Sequence, residues 1–147
     1  MTTLITGGTG KVGSSLANLL HDSHHQVLIA SRTGNLKHTE SKFKFVTFDF
    51  LKHETFENPF TKDPDIDRVF LVVPDIIDTI PHYKPFIDLA ISKGVKRFVL
   101  LTSTQPKPGD PGQGVVHQYL LDTGVNYAVL RPTWFIRECD VHDSNWQ

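Results

Sequence analysis

Short apolar runs alternate along this chain with stretches whose apolar residues recur every three or four positions. The runs predict strands at 3–6, 26–30, 43–48, 68–73, 97–101 and 126–130. Gln26-Val27-Leu28-Ile29-Ala30 is nearly continuously apolar, the pattern of a strand covered on both faces. Phe43 to Phe48 is rich in aromatic and β-branched residues, which suit a pleated surface. Between the first two runs, Val12, Leu16, Leu19 and Leu20 fall at i, i+4, i+7 and i+8 and predict a helix over 11–21. Tyr83, Phe86, Ile87, Ala90 and Ile91 predict a second helix stopped by Gly94, with Pro81 and Pro85 leaving its start open. A proline- and glycine-rich loop from Gln105 to Gly114 leads to a short helix over 115–123, ended by Gly124. Strands alternating with helices predict an α/β fold with a doubly wound, mostly parallel six-stranded sheet. Ligands in such folds lie beyond the carboxyl ends of the strands. That singles out residues 7–13, 31–33, 49–50, 73–75, 102–104 and 131–135.

The first of these segments is the most telling. A strand runs directly into Thr6-Gly7-Gly8-Thr9-Gly10-Lys11-Val12-Gly13, and the predicted helix starts there. Gly8, Gly10 and Gly13 form G-x-G-x-x-G, while Gly7, Gly10 and Gly13 form G-x-x-G-x-x-G. Glycines let the backbone turn sharply and approach a pyrophosphate, and the new helix aims its N–H groups and positive dipole end at it. Glycine clusters also make ordinary loops, so the weight lies in the strand–turn–helix context.

Composition narrows the alternatives. The chain has 147 residues, the size of one domain, and 39% of them are hydrophobic. Its net charge of −1 comes from 15 basic and 16 acidic residues without a basic stripe, so neither nucleic acid nor a membrane surface is an expected partner. The single Cys139 rules out an internal disulfide and fits a reducing compartment. No apolar run approaches the ~18 residues of a membrane span, and the N-terminus has no signal-peptide pattern. A cytoplasmic location is expected.

Other segments carry candidate chemistry. About 20 positions past the glycines, dinucleotide folds place the residue that reads the ribose. Here it is Ser31-Arg32, and a guanidinium suits a 2′-phosphate, which favours NADP(H) over NAD. A solvated arginine is the alternative. Lys11 sits against the helix dipole unless a phosphate lies nearby. Asp49-Phe50 lies where an adenine would sit, or Asp49 forms a turn. Val73-Pro74 would wall the adenosine ribose, or simply end its strand. His21, His24 and His25 raise the question of a metal, but cationic groups are favoured at a helix C-terminus without one, and no metal site is expected. Cys139 carries no nucleophile motif.

The glycine turn, with Ser31-Arg32, Asp49-Phe50, Val73-Pro74 and Leu130-Arg-Pro-Thr-Trp-Phe135, resembles the atypical short-chain dehydrogenase/reductase superfamily and its NmrA-like branch over residues 2–135. Val116-His117-Gln118-Tyr119-Leu120 ahead of Gly124-Val125-Asn126-Tyr127 is similar to the festuclavine and agroclavine dehydrogenases of fungal ergot alkaloid pathways. The resemblance implies a Rossmann-type domain over 1–135 that binds NADP(H). Gly7, Thr9, Gly10, Lys11, Val12 and Gly13 would hold the pyrophosphate, Ser31 and Arg32 the 2′-phosphate side, and Asp49 and Phe50 the adenine. Thr102, Ser103, Pro132 and Thr133 would border the nicotinamide. It also implies reduction of a small imine-like or unsaturated substrate, or else a module that only senses NADP.

Two departures stand out. The superfamily's proton relay pairs a tyrosine with a lysine four residues on, but Thr123 occupies that position after Tyr119. Tyr119 is thus a candidate general acid without its usual partner, or a packing residue. His117, whose reference pKa is near neutral, is an alternative donor, and Ser103 or Thr102 a hydrogen-bonding group or a cap. The second departure is the tail 136–147, which stands where family members continue into a substrate-binding region. A truncated product is one expectation; a partner chain that supplies the missing wall, a second copy or another protein, is the other.

Overall fold

The computed structural model describes residues 1–34, 42–73 and 78–133. Six strands form one parallel sheet: β1 (Thr2–Ile5), β2 (Gln26–Ser31), β3 (Lys44–Thr47), β4 (Ile66–Val72), β5 (Arg97–Leu101) and β6 (Asn126–Leu130). Their order is β3-β2-β1-β4-β5-β6, and every neighbouring pair is parallel. The chain therefore builds outward from β1 to β3, then crosses back to place β4 on the other side of β1. That reversal opens a crevice between the carboxyl ends of β1 and β4.

The helices are α1 (Lys11–Asp22), α2 (Asn58–Lys62), α3 (Ile80–Ser92) and α4 (Gln113–Thr123), with a 3-10 turn at His53–Thr55. Alternation along the strands sends neighbouring residues to opposite faces. Leu4, Leu28, Val69 and Leu100 join Phe86 and Ile87 of α3 and Val116 and Leu120 of α4 in one core. Ile5, Ile29 and Phe70 pack with Ala17 of α1 in the other. Each face of the sheet thus has its own core, as the apolar run of β2 requires.

The structure corrects the predicted helix stripes at one position. Val12, Leu16 and Leu20 pack on the sheet, but Leu19 is 68% exposed. The buried line of α1 runs instead through Gly13 and Ala17. Small residues there let the helix lie close to the strands, and Leu19 is rotated out. The 3-10 turn and α2 were absent from the predicted elements. Phe56 and Phe60 of this segment are buried against Phe86, so the segment belongs to the core. Pro74 and the tail 136–147 lie outside the described residues. No helix among the described residues is long and apolar enough to cross a membrane.

Candidate functional site

The glycine turn occupies the crevice between β1 and β4. Thr6, 1% exposed, locks it in place: its hydroxyl donates to the Phe70 carbonyl at 3.0 Å and accepts from the Val72 N–H at 3.0 Å. Thr6 carried no role in the sequence reading, although its place between strand and glycines is the signal that marks it. The glycines then divide by what demands them. Gly7 has φ +65°, which an L side chain rarely adopts, and a Cβ there would also press on Val72 at 3.1 Å. A Cβ on Gly8 would meet the Ile29 side chain at 2.6 Å, and one on Gly13 would meet the Gly7 carbonyl oxygen at 2.4 Å. The chain's own packing therefore explains these three.

Gly10 is different. Its φ is −81°, open to any residue, and a Cβ there would meet only the Gly7 carbonyl oxygen, at 3.3 Å. It is exposed together with Thr9 and Lys11. Gly10 also caps α1, which opens with no side-chain cap and no acidic residue in its first turn. The leading N–H groups of a helix have no partner within it, and the macrodipole makes that end positive. An exposed, uncapped helix start with a bare α-carbon in front of it fits a phosphate-bearing ligand.

The other carboxyl ends place their residues as follows. Ser31 is buried; its hydroxyl accepts the Gly34 N–H at 3.0 Å, which shapes the turn that leaves Arg32 exposed. The Asp49 carboxylate accepts the Leu51 N–H at 3.0 Å, so it does form a turn. Phe50 gives its ring to the core, stacked on Tyr83 at 4.0 Å, and keeps only its backbone for any ligand at this edge. Val73 is likewise buried in the core beyond β4. The Thr102 N–H donates to the Leu130 carbonyl at 2.9 Å, and its hydroxyl lies 3.2 Å from the same oxygen, tying β5 to β6. Ser103 is exposed, with its hydroxyl 3.4 Å from the Gln113 side-chain oxygen at the start of α4. Pro132 is half-buried and Thr133 exposed just past β6.

Tyr119 does have a lysine, though from another helix. Lys84 of α3 donates to the Tyr119 hydroxyl at 2.8 Å and reaches Asp88 at 3.0 Å, while the hydroxyl donates to Asp88. Burial and the Asp88 bond raise the Tyr119 pKa, the reverse of activation. Burial works against the Asp88 carboxylate, but the bonds from Tyr119 and Lys84 outweigh it and hold its pKa below the ordinary value. The cluster joins α3 to α4 and lies six residues into α4, about 9 Å along the helix axis from its start. Ser103 lies beside Gln113 at that start, while the Tyr119 hydroxyl is taken up by Lys84 and Asp88 of α3. His117 packs its ring on Tyr127 of β6 at 5.8 Å between centroids. Burial, and then the charge of Arg131, lower its pKa.

Two further observations bear on the site. A cavity of about 550 Å³ lies at the opposite end of the sheet, lined by His21, His24, His25, Lys42 and Phe43. Among the described residues no group of His, Cys, Asp or Glu is arranged to hold a metal ion.

A parallel sheet in this order, with a glycine turn feeding a helix start at its point of reversal, defines a Rossmann-type dinucleotide-binding domain. A family model described as NAD(P)H-binding matches residues 7–143, and the chain belongs to that family. It is 43% identical to the agroclavine dehydrogenase of Claviceps fusiformis over 141 residues, 92% of this chain and 47% of the relative. It is 39% identical to festuclavine synthase I of Penicillium roqueforti, covering 92% of this chain and 48% of that one. The resemblance read from the motifs is thereby borne out, and the chain spans about half the length of the curated relatives it matches. Among solved structures, a nucleoside-diphosphate-sugar epimerase from Staphylococcus aureus superposes with a TM-score of 0.77 at 18% identity, over 97% of this chain and 54% of that one. The triphenylmethane reductase of Citrobacter sp., solved with NADP(H), gives 0.71 at 15%, over 95% of this chain and 52% of that one. At these identities the likeness is one of fold.

Proposed function

We propose that the chain binds NADP(H) at the glycine turn and belongs to an oxidoreductase that reduces a small imine-like or unsaturated substrate, within the alkaloid chemistry of its named relatives. The observation that carries the reading is Gly10: alone among the glycines of the turn it combines an ordinary negative φ with a single neighbour, the Gly7 oxygen at 3.3 Å, that a shift of a few tenths of an ångström would relieve. A ligand pressed against that α-carbon accounts for it.

In this reading Gly7, Thr9, Gly10, Lys11, Val12 and Gly13 cradle the pyrophosphate at the α1 start. Arg32, held out by the Ser31 turn, pairs with the 2′-phosphate and selects NADP(H). Asp49, the Phe50 backbone and Val73 border the adenosine. Thr102, Ser103, Pro132 and Thr133 line the nicotinamide end. When bound, the cofactor supplies the hydride. The chain's residues bind and orient the reactants, with Ser103 as the hydroxyl that contacts the substrate. Among the described residues, the candidate proton donors Tyr119 and His117 are not poised as strong acids, which supports an imine-like substrate. Tyr119 is engaged with Lys84 and Asp88, and His117 is biased toward its neutral form. An imine that is already protonated needs hydride alone, so it asks for no strong acid from the protein.

The test is the melting temperature of the chain with NADPH and with NADH, followed by NADPH oxidation with a cyclic imine. Stabilisation of about 2.7 kcal/mol is expected at a hundredfold excess over Kd, larger for NADPH than NADH at equal concentration. No shift from a folded sample would overturn the cofactor reading. A shift without turnover would favour an NADP-sensing module, or a chain short of its substrate walls.

A further inference from the structure

Arg131 follows β6 and belongs to the Leu130-Arg-Pro-Thr-Trp-Phe135 segment, with no role of its own in the sequence analysis. In the structure one of its terminal guanidinium nitrogens, Nη2, donates to two backbone carbonyls of the β5–α4 loop, Thr104 at 2.8 Å and Pro106 at 2.8 Å. These bonds are short, charge-assisted and solvent-exposed. The loop is pinned elsewhere as well. The Lys107 N–H donates to Asp110 at 2.7 Å, and the buried Thr79 hydroxyl of the α3 entry donates to the Gly112 carbonyl at 2.6 Å. Ahead of the loop, Thr102 is fixed to Leu130, the residue immediately before Arg131. Ser103 therefore lies between two anchors supplied by one strand end. Its side chain faces solvent while its backbone is held from both sides, the arrangement expected of a residue that must meet a ligand without moving.

We propose that Arg131 is a positioning residue that fixes the Ser103–Pro106 segment as the wall against the nicotinamide end of the cofactor. This rests on the NADP(H) reading above and adds to it a residue that need not touch cofactor or substrate. A surface arginine that merely decorates the strand end would leave ligand selectivity alone.

The experiment compares two ligands, NADPH and 2′-phospho-ADP-ribose, which shares everything but the nicotinamide. Their affinities are measured by calorimetry for the wild type, Arg131→Gln and Arg131→Lys, with backbone hydrogen exchange over 104–110 as a second readout. The wild type is expected to prefer NADPH over the fragment. Arg131→Gln should bind the fragment as before, lose about tenfold in NADPH affinity, the scale of one charge-assisted bond, and exchange faster at 104–110. Arg131→Lys should recover part of the loss, and its result decides the matter if the glutamine variant does not fold. Equal losses for both ligands, no loss for either, or a wild type without preference would each overturn the proposal alone. A wild type that binds neither ligand would overturn it together with the cofactor reading.

Discussion

The glycine turn and Tyr119 are two of the places where the sequence suggested chemistry, and they are built in opposite ways. Every part of the turn comes from consecutive residues, Thr6 to Gly13, and the fold sets it at the β1–β4 reversal. Tyr119 finds its lysine 35 positions earlier in the chain, across a helix–helix contact. The turn lies at the strand ends; the tyrosine cluster joins α3 to α4. A local motif can carry its own geometry when it sits between a strand and a helix, since the backbone there has only one course to take. A side chain on a helix face acquires its chemistry from whatever the neighbouring helix presents. The superfamily's tyrosine–lysine pairing is thus absent as a motif but present as a contact between two helices.

This contrast can be broken at several points. The largest effect is expected from Gly13→Ala, whose Cβ would lie 2.4 Å from the Gly7 oxygen and 2.7 Å from the Gly8 α-carbon. Backbone cannot yield cheaply there, so urea unfolding should show a loss on the order of 1–3 kcal/mol, together with loss of the cofactor response. Gly10→Leu should separate those two effects. The unliganded melting temperature is expected to stay near wild type, while stabilisation by NADPH vanishes; a retained response would reduce the turn to a structural loop.

Arg32→Ala is the next step down. It should weaken NADPH by about tenfold, one charge-assisted hydrogen bond in scale, and leave NADH nearly unchanged. Equal losses in a binding titration would remove the 2′-phosphate assignment.

The smallest change is expected from Tyr119→Phe, which should cost about 1 kcal/mol or less and leave cofactor affinity untouched. Its pH dependence gives the sharper check. The Asp88 pKa is lowered in the fold, so the cluster's contribution is present above the unfolded carboxyl value of about 3.9 and fades as pH falls through the folded value. The Lys84 pKa is raised by its bonds to Tyr119 and Asp88, so its share persists through neutral pH and is lost only as pH rises through that higher value. The gap between wild type and Tyr119→Phe should therefore be flat at neutral pH and close in acid. A large loss of NADPH turnover at unchanged stability would instead return Tyr119 to the reaction.

The sequence alone determined the strands and their alternation with helices, because period-2 and period-3.6 burial are local statements about which side of the chain meets the core. It also determined the glycine turn, whose residues are contiguous. The tertiary structure decided the rest. It turned Leu19 outward, since Gly13 and Ala17 set the contact line of α1. It drew the 56–60 segment into the core, where Phe56 and Phe60 meet the distant Phe86. It supplied Lys84 to Tyr119, and it closed Arg131 onto the carbonyls of Thr104 and Pro106. Each of these depends on partners brought together by sheet order and helix packing, and a linear pattern of apolar and polar residues holds no record of which side chains will meet.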